Sequence, residues 1–265
     1  LYSPFQLAKK YLKYYITASN GKGHGIHSPF VFEFVKFIKN DRRPYAAYAD
    51  IEQARKRLLK DNTEIEVEDF GAGSGIIKTK RRKISAIASS SLKPKKFSQL
   101  LYRMVQYYGS EKVLELGTSF GITASYLASA SNHPQVTTME GSKNIAAIAK
   151  QNFTDLHLDN IQLVQGDFSK TLAPFLQENK KIDFAFLDGN HRKIPTLEYF
   201  KQILGSSHDE TIFIFDDIHW SSEMEEAWEI IKQHPAVTLT IDLFFIGIVL
   251  LRKDFKEKQH FTIRF

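Results

Sequence analysis

No cysteine occurs in the 265 residues. That excludes a disulfide framework, a thiolate metal site and a cysteine nucleophile. No apolar run approaches the roughly 18 residues that a membrane span needs. The opening stretch LYSPFQLAKKYLKYYI lacks the basic segment and following apolar core of a secretory signal. Membrane, fibrous and disulfide-scaffold classes fall away, and the expectation is a cytoplasmic protein. What is present is ordinary for a chain with a full core: 43% hydrophobic and 25% charged residues, at a length that suits one large domain or two small ones.

The net charge of +6 is local. Residues 78–96 (KTKRRKISAIASSSLKPKK) hold eight basic residues and no acid, and the rest of the chain carries 28 basic against 30 acidic residues. Such a run suits either an anionic partner or a solvated loop and helix face. No aromatic interleaves it to stack on bases, so charge alone does not make this a nucleic-acid protein.

Two textures divide the sequence. The first hundred residues read as helices. Phe5, Ala8, Leu12, Tyr15 and Ile16 fall at helical spacing. Ser28-Pro29 opens a second helix with Phe30, Phe34 and Ile38 inward, and ADIEQARKRLLK gives a third. A fourth runs from about Phe97 to Tyr108 with Leu100, Leu101, Met104 and Val105 on one face. From Lys112 onward, strands alternate with helices: KVLEL (112–116), QVTTME (135–140), IQLVQGD (161–167), KIDFAFLD (181–188) and ETIFIFDD (210–217). Short apolar strands alternating with helices predict right-handed crossovers and a parallel sheet covered on both faces. At the end, VTLTIDLF and IGIVLLR (237–252) leave no room for a crossover helix and predict an antiparallel hairpin. There is no internal repeat.

Ligands of a doubly wound sheet bind outside the carboxyl ends of its strands. Those ends carry Glu115, Glu140, Asp167, Asp188 and the pair Asp216-Asp217. Acids are only 30 of 265 residues, so a carboxylate at every strand end is not a consequence of composition. Carboxylates gathered at one edge repel unless hydroxyls or a cation engage them. ELGTSFG (115–121) follows the first strand and opens a helix, its glycines allowing a tight turn and close approach to a ligand. Glu140 comes 25 residues after Glu115, where an acid can hold ribose hydroxyls. DFGAGSG (69–75) mimics this motif but is followed by the basic run, and it reads as a loop. His24 and His27 lack a third ligand at metal-site spacing and read as loop residues.

Taken in order, VLELGTSFG-ITASYLA, TTMEGS, QGDF, FAFLDGNH and FIFDDIHW resemble the motifs of class I S-adenosylmethionine-dependent methyltransferases. Within that class they are most similar to the metal-dependent O-methyltransferases of the catechol and macrocin type. The likeness spans about residues 97–252. Many class I enzymes have a further glycine where this chain has Ser119; the catechol-type enzymes lack it as well. The N-terminal third, with HGIHSPFVF, resembles a subgroup of methyltransferases from the Bacteroidetes, which implies a bacterial setting.

The resemblance implies a Rossmann-like α/β three-layer sandwich with a seven-stranded, mostly parallel sheet and an antiparallel last strand. Residues 96–265 would be the S-adenosylmethionine-binding domain, and residues 1–95 a helical cap that closes over the acceptor or serves homodimerisation. Aromatics such as Tyr11, Tyr14, Tyr15, Phe30 and Phe34 would shape an apolar pocket or, for most of them, the core. Gly117, Thr118, Ser119 and Gly121 would line the methionine and ribose side of the cofactor, with Glu115 at the head of the motif. Glu140 would take the ribose hydroxyls, Gly141-Ser142 would lie beside the adenine, and Asp167 and Phe168 would meet its amino group and ring. Asp188, Asp216 and Asp217 would bind a divalent cation, and all-oxygen ligands suit Mg²⁺. Asp217 stands where catechol-type relatives usually have Asn.

His191, three residues after Asp188, stands where those relatives carry Lys; with Asp188 it is the expected catalytic pair, as a general base or as a residue supporting the metal. His219 and Trp220 are candidates for the acceptor pocket. The implied activity is Mg²⁺-assisted O-methylation of a small-molecule hydroxyl. Other readings stay open at this level: a metal-independent RNA or protein methyltransferase docking through residues 78–96, an NAD-binding oxidoreductase, and a non-catalytic cofactor-binding module.

Overall fold

The structure is a computed structural model that describes residues 1–19, 21, 28–69, 78–255 and 257–265. His24, His27 and the glycines of the 69–75 motif lie outside the described residues. Along the chain run α1 (Pro4–Thr17), α2 (Pro29–Glu33) continuing as a π-helix (Phe34–Lys39), α3 (Ala47–Lys60), β1 (Glu64–Asp69), β2 (Lys78–Lys83), α4 (Ile84–Ser91) and α5 (Lys95–Tyr108). The alternating part follows: β3 (Lys112–Leu116), α6 (Ile122–Ala128), β4 (Gln135–Glu140), α7 (Lys143–Asp155), β5 (Ile161–Gln165), α8 (Phe168–Glu178), β6 (Ile182–Leu187), α9 (Lys193–Leu204) and β7 (Ser207–Asp216). The chain ends with α10 (Ser222–Gln233), β8 (Leu239–Asp242), β9 (Ile246–Leu250) and β10 (Gln259–Thr262). Two compact units result, residues 43–178 and residues 1–42 with 179–265.

In the unit of residues 43–178, β3, β4 and β5 are parallel neighbours in that order. Val113, Leu114, Glu115 and Leu116 are all buried. Because successive side chains point to opposite faces, both faces of β3 are covered. α5 presents the predicted face, with Leu100, Leu101, Met104 and Val105 essentially inaccessible, and ends on Gly109 in the left-handed conformation that glycine tolerates.

The same unit holds an element the sequence reading missed. β1 and β2 pair antiparallel, with Glu64 opposite Lys83 and Glu66 opposite Arg81. The first part of the basic run is therefore a strand alongside an acidic one, and opposite charges across a strand pair are favourable. KTKRRK has no apolar alternation, so its partner strand makes it a strand. Lys83 and Arg81 thus stand opposite carboxylate-bearing residues.

In the other unit, β7 is parallel to β6 and antiparallel to β9, β8 and β9 form the predicted antiparallel hairpin, and β10 adds an edge parallel to β8. The fold class is Rossmann-like α/β, with eight strands of this kind across the described residues rather than seven. The extra one, QHFT, is only four residues long and carries no clear period. Thr211 through Asp216 are buried without a break, as a strand covered on both faces requires. Gly247, opposite Phe215, lets β9 pass beneath Trp228; a Cβ there would lie 2.6 Å from the indole. α1 turns Tyr14 inward, with Leu7 and Tyr11, against Phe244 and Phe245. Phe5, Leu12 and Ile16 are exposed, so the helical spacing was right but a different face is buried. The predicted second helix is α over Pro29–Glu33 and π thereafter, with Phe34 and Ile38 fully buried.

Candidate functional site

The loop after β3 is held open by backbone geometry. Gly117 and Gly121 have φ of +105° and +80°, and Ser119 between them has +47°. Ser119 thus occupies the left-handed region, which explains why a glycine is an alternative at that position. Gly121 begins α6 so close to α7 that a Cβ would run into the Phe153 ring. The N–H groups of Gly117 and Thr118 both donate to the carbonyl of Met139 at 3.0 Å, tying the loop to the end of β4.

Glu140 joins the two turns that flank it. Oε2 accepts from the Ser119 N–H and Oε1 from the Ser142 N–H, both at 2.9 Å. Each carboxylate oxygen accepts more than one hydrogen bond, so both retain capacity for a ligand's hydroxyls. Burial pushes the Glu140 carboxyl above its ordinary value, against the pull of these backbone donors. Beyond β5, Asp167 caps α8, Oδ1 accepting from the Ser169 N–H at 2.9 Å, and Phe168 is the first residue of that helix, half-buried.

Glu115 is completely buried and is linked to the loop through two threonines. Thr138 Oγ1 donates to Glu115 Oε2 at 2.5 Å. With that proton committed, Thr118 is the donor in its 2.6 Å hydrogen bond to Thr138. Glu115 Oε1 has no hydrogen-bond partner among the described residues. Burial, opposed by the Thr138 hydroxyl and reinforced by the charge of Glu140, pushes its carboxyl up to about 8. Thr138 was missed by sequence reasoning, and only its place two residues before the strand-end acid hints at it. The β1–β2 hairpin was missed too: Glu68 Oε2 accepts from the Lys143 N–H at 3.3 Å and the Glu66 carbonyl from Asn144 Nδ2 at 2.8 Å. It thereby braces the first turn of α7, immediately after Glu140-Gly141-Ser142.

The second group of interest lies in the other unit. Asp188, His191 and Asp216 each offer a ligand atom, all within 4.8 Å of one another. The DGNH turn accounts for the first two. Asn190 adopts φ +54°, which Asn tolerates better than most residues. His191 Nε2 comes back to 3.6 Å from Asp188 Oδ1. Asp216 is buried at the end of β7. Asp217 does not belong to this group: its φ is +53° and its N–H donates to the Phe245 carbonyl at 2.7 Å. Two carboxylates and an imidazole are a chemically suitable donor set for a divalent cation.

His219, a candidate for the acceptor pocket, is held between two carboxylates. Nδ1 meets Glu225 Oε1 at 3.0 Å and Nε2 meets Asp242 Oδ2 at 2.8 Å, and its ring stacks on Phe244. Burial opposes its charge, but the two carboxylates outweigh that and raise its pKa. Trp220 is 39% exposed. Of the N-terminal aromatics, Tyr14 and Phe34 are core residues and Tyr15 is exposed.

Residues 114–218 match a family model described as a methyltransferase domain. No curated protein sequence matches the chain. Among solved structures, a SAH-bound methyltransferase of Podospora anserina is similar at 12% identity and a TM-score of 0.60, covering 96% of this chain and 98% of that one. An O-methyltransferase of Bacillus cereus in complex with SAH is 20% identical with a TM-score of 0.56, covering 79% and 92%. A Streptomyces achromogenes O-methyltransferase involved in tomaymycin synthesis, in complex with SAM, is 16% identical with a TM-score of 0.56, covering 79% and 91%. The chain therefore has the fold of the S-adenosylmethionine-dependent O-methyltransferases.

Proposed function

We propose that this chain, whose residues 114–218 match a methyltransferase domain, moves the methyl group of S-adenosylmethionine onto a hydroxyl of a small molecule with the help of a divalent cation. The observation that carries the reading is Glu140, whose two oxygens are each fixed by a backbone N–H at the mouth of a glycine-bearing loop. That is the arrangement needed to present a carboxylate to a ribose. Gly117 to Gly121 would take the methionine and ribose side, and Gly141, Ser142, Asp167 and Phe168 the adenine.

Methyl transfer is an in-line displacement. The acceptor oxygen forms a bond to the methyl carbon, the carbon–sulfur bond breaks with its electron pair going to sulfur, and the hydroxyl proton leaves to a base. Asp188, partly exposed at the end of β6, is the proposed proton acceptor. Asp188, His191 and Asp216 would hold the cation, which when bound acidifies and orients a hydroxyl. The fixed side chains lower the barrier by positioning, since an oriented pair avoids much of the entropy cost of a bimolecular encounter.

The test is calorimetric titration with S-adenosylhomocysteine, with and without divalent metal, using NAD as the control. Binding of S-adenosylhomocysteine alone supports the reading, and transfer of a labelled methyl to catechol or glycosyl acceptors that stops on adding EDTA completes it. Heat with NAD and silence with S-adenosylhomocysteine would overturn it.

A further inference from the structure

The Asp188–His191–Asp216 group differs from an all-oxygen site in one donor, and the difference has a chemical consequence. His191 Nε2 and Asp188 Oδ1 are 3.6 Å apart, outside the ~2.7–3.2 Å of a good hydrogen bond. Ligands about 2.1 Å from one ion stand about 3.0 Å apart when adjacent and about 4.2 Å apart when opposite. The separation is too long for a good hydrogen bond and falls within the range that ligands of a common ion span, and Asp216 brings a third atom within the same 4.8 Å. The backbone fixes this choice of donors. The left-handed Asn190 and the hydrogen bond from the Arg192 N–H to the Asn190 carbonyl make the turn that returns His191 to Asp188. The left-handed Asp217, hydrogen-bonded to Phe245, stands outside the group.

We infer that His191 is a metal ligand, through Nε2, and that the group selects a first-row transition dication such as Mn²⁺ over Mg²⁺. The inference rests on the cation-assisted reading above and sharpens it. Mg²⁺ favours near-octahedral oxygen and gives up water reluctantly, whereas an imidazole donor suits the transition ions. Two carboxylates neutralise the ion's charge, and the neutral imidazole contributes the selectivity.

The experiment is titration of the full chain with Mn²⁺, followed by the loss of the free-ion EPR signal, in competition with Mg²⁺, with pulsed EPR on the bound ion. Mn²⁺ is expected to bind at least tenfold more tightly than Mg²⁺ and to show nitrogen modulation from a directly bound imidazole. His191→Ala should abolish that modulation, weaken Mn²⁺ about tenfold and bring the two ions' affinities together. His191→Asp, an oxygen donor, should shift preference towards Mg²⁺. Unchanged S-adenosylhomocysteine affinity shows that each variant is folded. Bound Mn²⁺ without nitrogen modulation, or a His191→Ala affinity equal to wild type, overturns the inference and leaves the cation reading intact. Failure of both ions to bind, with S-adenosylhomocysteine still bound, overturns the cation reading as well.

Discussion

Ser119 and Glu140 are 21 positions apart in sequence, and the N–H of one lies 2.9 Å from the carboxylate of the other. The same carboxylate takes the Ser142 N–H, so one side chain sets the spacing of two turns. Hydrogen bonds to a charged group are worth about 1.5–3 kcal/mol. Glu140→Gln turns one acceptor into a donor facing an N–H, and it is expected to weaken S-adenosylhomocysteine about 10- to 100-fold. Calorimetry decides, and an unchanged affinity would reduce Glu140 to a brace between the two turns.

Two glycines separate backbone strain from crowding. Gly109 and Gly121 both have positive φ, +64° and +80°, but a Cβ at Gly109 meets nothing within 4 Å whereas one at Gly121 strikes Phe153. Gly109→Ala should therefore cost only the conformational penalty, about 1–2 kcal/mol. Gly121→Ala should lose a further ~1–3 kcal/mol through overpacking and also weaken S-adenosylhomocysteine. Urea unfolding measures both, and Phe153→Leu should restore part of the loss only in the Gly121 variant.

One carboxylate, Glu225, gathers the polar contacts of the N-terminal segment to α10. Glu225 accepts from the Tyr2 hydroxyl at 2.6 Å, from Lys10 Nζ at 3.0 Å and faces His219 Nδ1 at 3.0 Å. Lys10 is 37% exposed, so its share is screened and small; the buried anchor is Tyr14. Glu225→Ala is expected to speed amide exchange in Pro4–Thr17 about tenfold while leaving β7 and β9 as protected as before. Equal exchange in variant and wild type would show that Tyr14 packing suffices.

Much of the fold and of the candidate site is legible in the amino-acid sequence, because it rests on local rules. Alternating strands and helices, the closing hairpin and the acid at each strand end follow from period, spacing and turn chemistry. What escaped depends on partners distant in sequence or on single dihedral angles. KTKRRK is a strand because EIEVED lies beside it, and no property of the six residues says so. His191 stands beside Asp188 and Asp216 while Asp217 lies outside that group, and the left-handed φ angles of Asn190 and Asp217, both non-glycine residues, are not legible in the sequence. Burial of Tyr14 rather than Leu12 on α1 was likewise decided by Phe244, more than 200 residues away in the chain.

Glu115 gives the pH dependence its sign. Its carboxyl is raised from 4.5 to about 8 by burial, so between those values the folded chain holds a proton that the unfolded chain has released. Stability from this group is fully present below about pH 4.5 and is lost as pH rises through about 8, at about 1.4 kcal/mol per pH unit. Glu140, raised by burial in the same direction, adds to the slope. Glu115→Gln cannot ionise, so its unfolding free energy should gain on wild type by several kcal/mol between pH 5 and pH 8. Urea titrations at pH 5, 6.5 and 8 provide the comparison. Parallel curves for the two proteins would mean that Glu115 is already ionised in the fold, with Thr138 sufficient to hold the charge.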